Sequence, residues 1–498
     1  MRIFRISWSG GNSSRNWSPD VRSPERNLPA VERGYFFCLM LCRISHKLFL
    51  SDVPEQVKSR VMAELTLENP RWLENLKMGR RNYRVSRHLK LYSTRTCGGL
   101  ILPRGYGGRL ARICAECGEE VEYRDERRTL PEVDFHFHGE LRPYQSEACA
   151  AMLRRRFGTL CAPTGAGKTV CGLYLIARRR QPTLVVVHTR DLAMQWVERV
   201  EEFLGIPGRE VGMIGGGRDK VGQAVTVATV QSVYSRAREL KKRIGHLVVD
   251  ECHRAPSRTF TAAVTAFDCA YSLGLSATPY RRDGLTPLIF WHLGEMHARI
   301  DSAALMDSGA ILRPEIRIHQ TMFHSERDPV EEYAGIIADL TLDADRNALI
   351  VDELAGEIRS GRGVSLVLSD RKGHCHALRE LLLARHGLDG TVLTGDTPLP
   401  GRRKMAACIQ AGSVRVVFAT GQLIGEGFDA SNLGSLFLAT PVKFGGRLIQ
   451  YLGRILRPSS GKTRATVHDF VDCRVGVLEA AARARAEVYA GMAGEGPE

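Results

Sequence analysis

The amino-acid sequence predicts an α/β protein: two tandem parallel-sheet domains preceded by a small α+β N-terminal module. Three observations predict it. After Leu141, apolar β-branched runs at 184–187, 225–228, 247–249 and 271–275 alternate with helical stretches, the alternation that builds a parallel sheet with helices on both faces. A second series follows at 364–368, 391–393, 414–419, 436–439 and 465–467, with helical stretches such as 375–384 and 446–456 between the runs. Before Leu141 the pattern mixes short pieces, helical over 57–65 and extended over 98–102.

A length of 498 residues suggests roughly three domains. The expected boundaries are a disordered tail at 1–42 and a basic α+β module at 43–135, a candidate nucleic-acid binder. The first sheet domain then spans 136–300, the second with its linker 301–475, and a C-terminal helix and tail 476–498. The tail is rich in Ser, Asn, Pro and Arg. The apolar run 35–42 is too short to span a bilayer, so no membrane partner is expected. The stretch 296–345 lacks regular alternation and reads as the join between the sheets. Hydrophobic content of 44% is enough to bury several cores.

The formal net charge of +15 favours a polyanionic partner. Between Arg71 and Leu110 ten cations (Arg71, Lys77, Arg80, Arg81, Arg84, Arg87, Lys90, Arg95, Arg104, Arg109) face one acid, Glu74. Trp72, Tyr83, Tyr92 and Tyr106 are interleaved with them. Cations for phosphates alternating with rings for bases suit a nucleic-acid surface; a solvated basic face gives the same composition. Thirteen cysteines without a framework or a secretory signal read as reduced thiols in a cytoplasmic protein. Cys114 and Cys117 lack the second pair that a zinc site wants. His136 and His138 alternate with Phe135 and Phe137 as in a strand, and His374 and His376 open a helix. For these the structural reading is preferred to a metal.

The chemistry starts at Ala162-Pro163-Thr164-Gly165-Ala166-Gly167-Lys168-Thr169. This string follows a short apolar run and opens a helical pattern, the context that a phosphate-binding loop requires. Its glycines let backbone N–H groups turn onto a phosphate chain, and the following helix adds its positive end. Pro163 to Lys168 would cradle the phosphates of ATP. Lys168 would reach the β- and γ-phosphates, and the Thr169 hydroxyl would hold Mg²⁺. The alternative is a Gly-rich turn before a helix. Val248-Val249-Asp250-Glu251-Cys252-His253 lies 82 residues beyond Lys168. A strand ending in Asp-Glu fits a metal-holding acid, Asp250, beside an acid that polarises water, Glu251.

Gly274-Leu275-Ser276-Ala277-Thr278-Pro279 completes a series that resembles a superfamily 2 helicase of the DExH type. The nearest group is the DNA-acting one related to UvsW, the XPB helicase and the helicase subunits of restriction systems. The resemblance covers about 141–475 and implies two RecA-like domains. It implies that Gln145 of Arg142-Pro143-Tyr144-Gln145 reads adenine and that Ser276 and Thr278 couple the nucleotide to the strand. Thr189 and Arg190 (motif Ia), Thr229 and Gln231 (motif Ic), Ser369 (motif IV) and Thr420 (motif V) would contact nucleic acid. Gly427 and Asp429 of motif V would bind the nucleotide. In motif VI, Gln450, Gly453, Arg454 and Arg457 fall at i, i+3, i+4 and i+7, one helical face. Gln450, Arg454 and Arg457 would join Lys168, Asp250 and Glu251 as catalytic residues; an amphipathic basic helix is the alternative.

The implied function is ATP-dependent helicase or translocase action on DNA, with two domains that close on the nucleotide when a strand is bound. An RNA-remodelling ATPase shares most of the motifs. A motor subunit of a restriction, defence or transposon complex is a further reading, in which a separate chain supplies the nuclease.

Overall fold

The computed structural model describes residues 2–5, 39–96, 98–254, 258–278, 283–329, 331–361, 363–421, 432–442, 445–459 and 462–493. The chain falls into two compact units. The first comprises 1–160, 170–275 and 279–298, and the second 161–169, 276–278 and 299–498.

The first unit opens with strands β1 (Arg2–Arg5), β2 (Met40–Ile44), β3 (Lys47–Ser51), β4 (Thr66–Glu68), β5 (His88–Lys90), β6 (Ser93–Thr94), β7 (Leu100–Pro103) and β8 (Val121–Asp125). Six of them form one sheet in the order β1-β8-β2-β3-β7-β6, and β4 pairs with β5 separately. Period-2 alternation turns Met40, Cys42, Leu48, Leu50, Leu100 and Leu102 to one face. There they meet Val57 and Val61 of helix α1 (Glu55–Glu64). The expected tail at 1–42 is therefore too long. Residues 2–5 pair with β8, and Met40 and Cys42 are core. The run 35–42 leads into a buried strand, which a composition averaged over 42 residues conceals.

Helix α2 (Pro70–Lys77) starts at Asn69, whose side chain accepts from the Arg71 N–H, with proline in the first turn where its missing donor costs nothing. Helix α3 (Gly107–Glu116) follows β7. The module is fastened to the parallel sheet of the same unit. The buried Arg104 donates to the carbonyls of Phe267 (3.1 Å) and Cys269 (2.9 Å). A side chain at Gly105 would lie 2.7 Å from both the Trp291 carbonyl oxygen and the Gly294 nitrogen.

The first parallel sheet uses β9 (Phe157–Cys161), β10 (Thr183–Val187), β11 (Gly212–Gly215), β12 (Arg218–Lys220), β13 (Val225–Thr229), β14 (His246–Val249), β15 (Tyr271–Ser276) and β16 (Met296–Arg299). Its order is β12-β11-β13-β10-β14-β15-β9-β16. The central strands β10 and β14 are buried on both faces, the usual state of a parallel sheet covered by helices. Its flanking helices include α4 (Pro143–Leu153), α5 (Lys168–Arg179), α6 (Arg190–Leu204), α7 (Val230–Leu240), α8 (Arg258–Val264) and α9 (Pro287–Leu293). Phe135 to His138 are not a strand. Phe137 packs against Tyr174 and Phe203, and the His138 N–H donates to the Phe203 carbonyl, so alternation there serves two helices.

The second unit is built on β17 (Pro314–Gln320), β18 (Val364–Ser369), β19 (Thr391–Leu393), β20 (Val416–Thr420), β21 (Leu433–Leu438) and β22 (Ala465–Val471), in the order β17-β22-β21-β18-β20-β19. Among the described residues its strand pairings are parallel. Helices α10 (Ser302–Asp307), α11 (Tyr333–Leu342), α12 (Ala344–Arg359), α13 (Lys372–His386), α14 (Leu399–Gln410), α15 (Gly445–Ile455) and α16 (Gly476–Ala493) accompany it. The expected join at 296–345 contributes β16 and β17, an edge strand to each sheet. Edge strands are half-exposed and mixed in polarity, so they lack the continuous apolar run that marks a central strand. No described helix is long and apolar enough to cross a membrane.

Candidate nucleotide and nucleic-acid site

The loop after β9 turns through two left-handed glycines, Gly165 (φ +96°) and Gly167 (φ +80°), conformations that any other residue adopts under strain. The Ala162 N–H donates to the Ser276 carbonyl at 2.9 Å, and the Lys168 ammonium donates to the Ala162 carbonyl at 3.0 Å. The Ser276 hydroxyl bridges to the Thr278 carbonyl (2.8 Å) and accepts the Thr278 N–H (3.1 Å). Ser276 and Thr278 are thus a closed turn tied to the loop backbone, and both are buried.

Within this second unit the same loop meets helix α15. Gly453 has no room for a Cβ beside Thr164, and a Cβ at Gly165 would lie 3.7 Å from Cγ of Arg457 and from the Gly453 carbonyl oxygen. Gln450 is buried, while Arg454 and Arg457 are partly exposed. Lys462 was absent from the sequence reading. Its ammonium donates to the carbonyls of Ile455 and Arg457, capping the C-terminal end of α15. Burial, helped by the Arg457 cation, pulls this lysine down to about 8. A lone lysine five residues past an arginine gives no sequence signal for this role.

In the first unit, Asp250 follows β14 and is 6% exposed. Its Oδ1 accepts the Glu251 N–H at 2.8 Å and its Oδ2 accepts the Trp196 indole N–H at 2.8 Å. Glu251 adopts a left-handed backbone (φ +49°), a strain of about 1–3 kcal/mol of the kind that concentrates at working sites. Its carboxylate lies 3.3 Å from Nδ1 of His253. Beside them, burial and then the Arg254 cation hold His188 down at about 4, so its ring is neutral at physiological pH. The Asp250 carboxylate and the Thr169 hydroxyl are hard oxygen donors, the donor type that Mg²⁺ takes. Gln145 is buried, and its amide oxygen accepts the Arg142 N–H at 2.9 Å, capping α4.

Thr189 caps α6, accepting the Leu192 N–H at 3.3 Å, and Arg190 is exposed beside it. Val187 and Thr229 are register partners, so the ends of β10 and β13 bring Thr189, Arg190, Thr229 and the exposed Gln231 to one edge. The sequence reading missed Gly215, Gly216 and Gly217, all left-handed, which turn between β11 and β12 over this edge. A Cβ at Gly215 would press on the hydroxyls of Thr229 (2.8 Å) and Ser232 (2.9 Å), and one at Gly216 on Arg190 Cδ (2.7 Å). The signal was the glycine triplet itself.

Ser369 requires correction. It is 1% exposed, and its hydroxyl bonds to Nδ1 of His374 (3.0 Å) and accepts the Arg371 N–H (3.1 Å). It builds the turn after β18, and its side chain is withdrawn from any strand. Thr420, its register partner on β20, is partly exposed. Gly427 and Asp429 lie outside the described residues. The basic stretch is also smaller than its composition. Arg104 is buried in the fold, Arg109 is held by Glu64, and Tyr106 is core. What remains is an excursion closed by β4 and β5. There Tyr83 is 78% exposed with Arg84 against its ring, and Arg87 lies over Trp72.

The family described as "Type III restriction enzyme, res subunit" matches residues 138–281. A DNA 3'-5' translocase XPB2 of Sulfurisphaera tokodaii is 43% identical over 145 residues, 29% of this chain and 32% of that protein. The ATP-dependent DNA helicase uvsW of Enterobacteria phage T4 is 24% identical over 402 residues, 75% of this chain and 79% of that protein. A solved fragment of a candidate HsdR subunit of a type I restriction enzyme from Vibrio vulnificus YJ016 superposes with a TM-score of 0.54. Its identity is 17%, covering 91% of this chain and 83% of the fragment. The chain thus spans about a third of the first relative's length. The likeness to the HsdR fragment is one of fold.

Proposed function

We propose that this chain is a superfamily 2 helicase, acting as an ATP-dependent DNA helicase or translocase. The observation that supports this most is the packing of the phosphate loop against α15 inside one unit, Gly453 on Thr164 and Arg457 beside Gly165. It brings the loop that would grip the phosphates to the helix that bears both guanidiniums. Lys168 and the backbone of 163–168 would bind the β- and γ-phosphates, and Gln145 would face the base. Mg²⁺, held by Thr169 and Asp250, would neutralise phosphate charge. Glu251 would orient and deprotonate the attacking water, while Arg454 and Arg457 stabilise charge on the transferred group. An arginine finger contributes roughly 10³–10⁵ in rate.

Thr189, Arg190, Thr229, Gln231 and Thr420 would hold a strand by its backbone, giving weak sequence preference and strong salt dependence. The excursion around Tyr83 would add stacking and phosphate contacts from the module at 43–135. DNA is favoured over RNA because the relatives above carry DNA helicase and translocase names. A cytoplasmic location and a nuclease-bearing partner chain belong to the same proposal.

The test is ATP hydrolysis with single-stranded DNA, duplex DNA, a forked duplex and RNA, followed by strand displacement on whichever stimulates. Lys168→Ala should abolish turnover. Arg454→Ala should abolish turnover and leave ATP binding largely intact. Normal hydrolysis in both variants would overturn the site assignment, and stimulation by RNA alone would overturn the DNA reading.

A further inference from the structure

Trp196 lies on the first unit's strand-facing helix, seven residues beyond its Thr189 cap, yet its side chain reaches the acid assigned to the metal. The indole is 1% exposed and is the largest fully buried side chain of the described residues. Its Nε1–H donates to Oδ2 of Asp250 at 2.8 Å across 54 residues of sequence. The opposite rim of the ring lies over Gly172 of α5, one helical turn past Thr169. A Cβ there would stand 3.1 Å from the indole Cη2 and 3.1 Å from Leu275 Cδ1. Leu275 directly precedes Ser276. One rigid side chain therefore faces the phosphate-loop helix at Gly172 and bonds to the metal-holding acid, and is itself rooted in the helix that starts at Thr189 and Arg190.

We propose that Trp196 is a positioning residue that fixes the Asp250 carboxylate and transmits displacement of α6, when a strand binds at its N-terminal end, to the metal-holding acid. The proposal rests on the functional reading above. Asp250 Oδ1 accepts from its own chain neighbour Glu251, while Oδ2 accepts from Trp196 on α6. The Trp196 bond ties the carboxylate's rotation to a different helix. Indole has two torsions and is packed on both rims, so a shift of α6 cannot be absorbed by a rotamer change. A hydrogen bond to a charged group is directional and among the stronger kinds, so the carboxylate follows the donor.

The test uses the full chain, Trp196→Phe and Gly172→Ala. Phe keeps a ring in the cavity and removes the N–H; Ala at 172 keeps the N–H and presses on the ring. Binding of a fluorescent ADP analogue is titrated with and without Mg²⁺, and hydrolysis is measured with and without single-stranded DNA. For Trp196→Phe, metal-free ADP affinity should stay within about twofold, and the Mg²⁺ midpoint should rise about tenfold. Stimulation by DNA should fall by a similar factor while DNA affinity holds. Gly172→Ala should move the same two quantities in the same direction by less, and it decides the matter if the Phe variant does not fold. An unchanged Mg²⁺ midpoint with full stimulation overturns the proposal. Equal loss of metal-free ADP affinity also overturns it, since that marks general damage. A parent chain that hydrolyses no ATP, or is unmoved by nucleic acid, sinks the functional reading instead, and the Mg²⁺ titration of ADP binding still reads the role of Trp196.

Discussion

The two units bury arginine in opposite ways. In the first, Arg104 donates to main-chain carbonyls and lies over the Phe157 ring, and Arg179 donates to the carbonyls of Met152 and Arg155 and to His246, with Tyr271 beneath it. Burial pulls both guanidiniums down, Arg179 to about 10. In the second, each buried arginine is clasped by an aspartate. Arg346 meets Asp472 at 2.8 Å and Arg485 meets Asp469 at 2.8 Å, all four at most 2% exposed. Burial pulls Arg485 down as well, but the hydrogen bonds and charge of Asp469 outweigh it and raise the group. The difference teaches what each buried acid is for. Asp469 and Asp472 anchor α16 and α12 to the end of β22, and their charge is matched there. Asp250 accepts from the Trp196 indole and from the Glu251 N–H, neutral donors that fix its direction, as the proposed metal-holding role would need.

Removing a buried carboxylate from each unit tests that contrast most sharply. Asp250→Asn should lower ATP turnover by roughly 10³-fold or more while the melting temperature barely moves. Asp472→Ala should do the reverse. It strands a buried guanidinium and should cost about 3–5 kcal/mol of stability, read by denaturant unfolding. Replacing both members, Arg346→Met with Asp472→Leu, should recover most of that loss. A stable Asp472→Ala protein would show that the pair is not structural.

Arg104→Met probes the carbonyl-held class. Two carbonyls lose their donor but no charge is stranded, so the loss should be nearer about 1–2 kcal/mol. A loss as large as that of Asp472→Ala would erase the distinction between the units.

The smallest effect lies in the histidines. Burial holds His374 down to about 3 and His292 to about 4, so the folded chain keeps them neutral. Below pH 6.5 the unfolded chain takes up protons that the folded one refuses, so stability falls as the pH drops from 6.5 towards these values. His374→Gln should flatten that acid limb by about 1 kcal/mol per pH unit. An unchanged slope of melting temperature against pH would show that His374 does not titrate on unfolding.

The phosphate loop, the Asp-Glu pair and the motif VI face were legible because each is a local arrangement. Glycine at two positive-φ positions, acids at a strand end, and a spacing of three, four and seven on a helix depend on chain neighbours. Edge strands β16 and β17 were illegible, since half-exposed strands carry mixed polarity. The basic stretch misled because charge counts along the chain do not say which cations fold inward, as Arg104 does.

The sequence by itself determined the α/β class, the order of the motifs and the chemical identity of the candidate site's side chains, because backbone conformation and helical phase are set within a few residues. Only the tertiary structure decided who holds them: Trp196 on Asp250, Lys462 on the end of α15, Ser369 withdrawn to His374, Gly453 against Thr164. Those partners are joined by packing across tens to hundreds of residues, where which helix face falls on which strand end is fixed by the fit of the whole core.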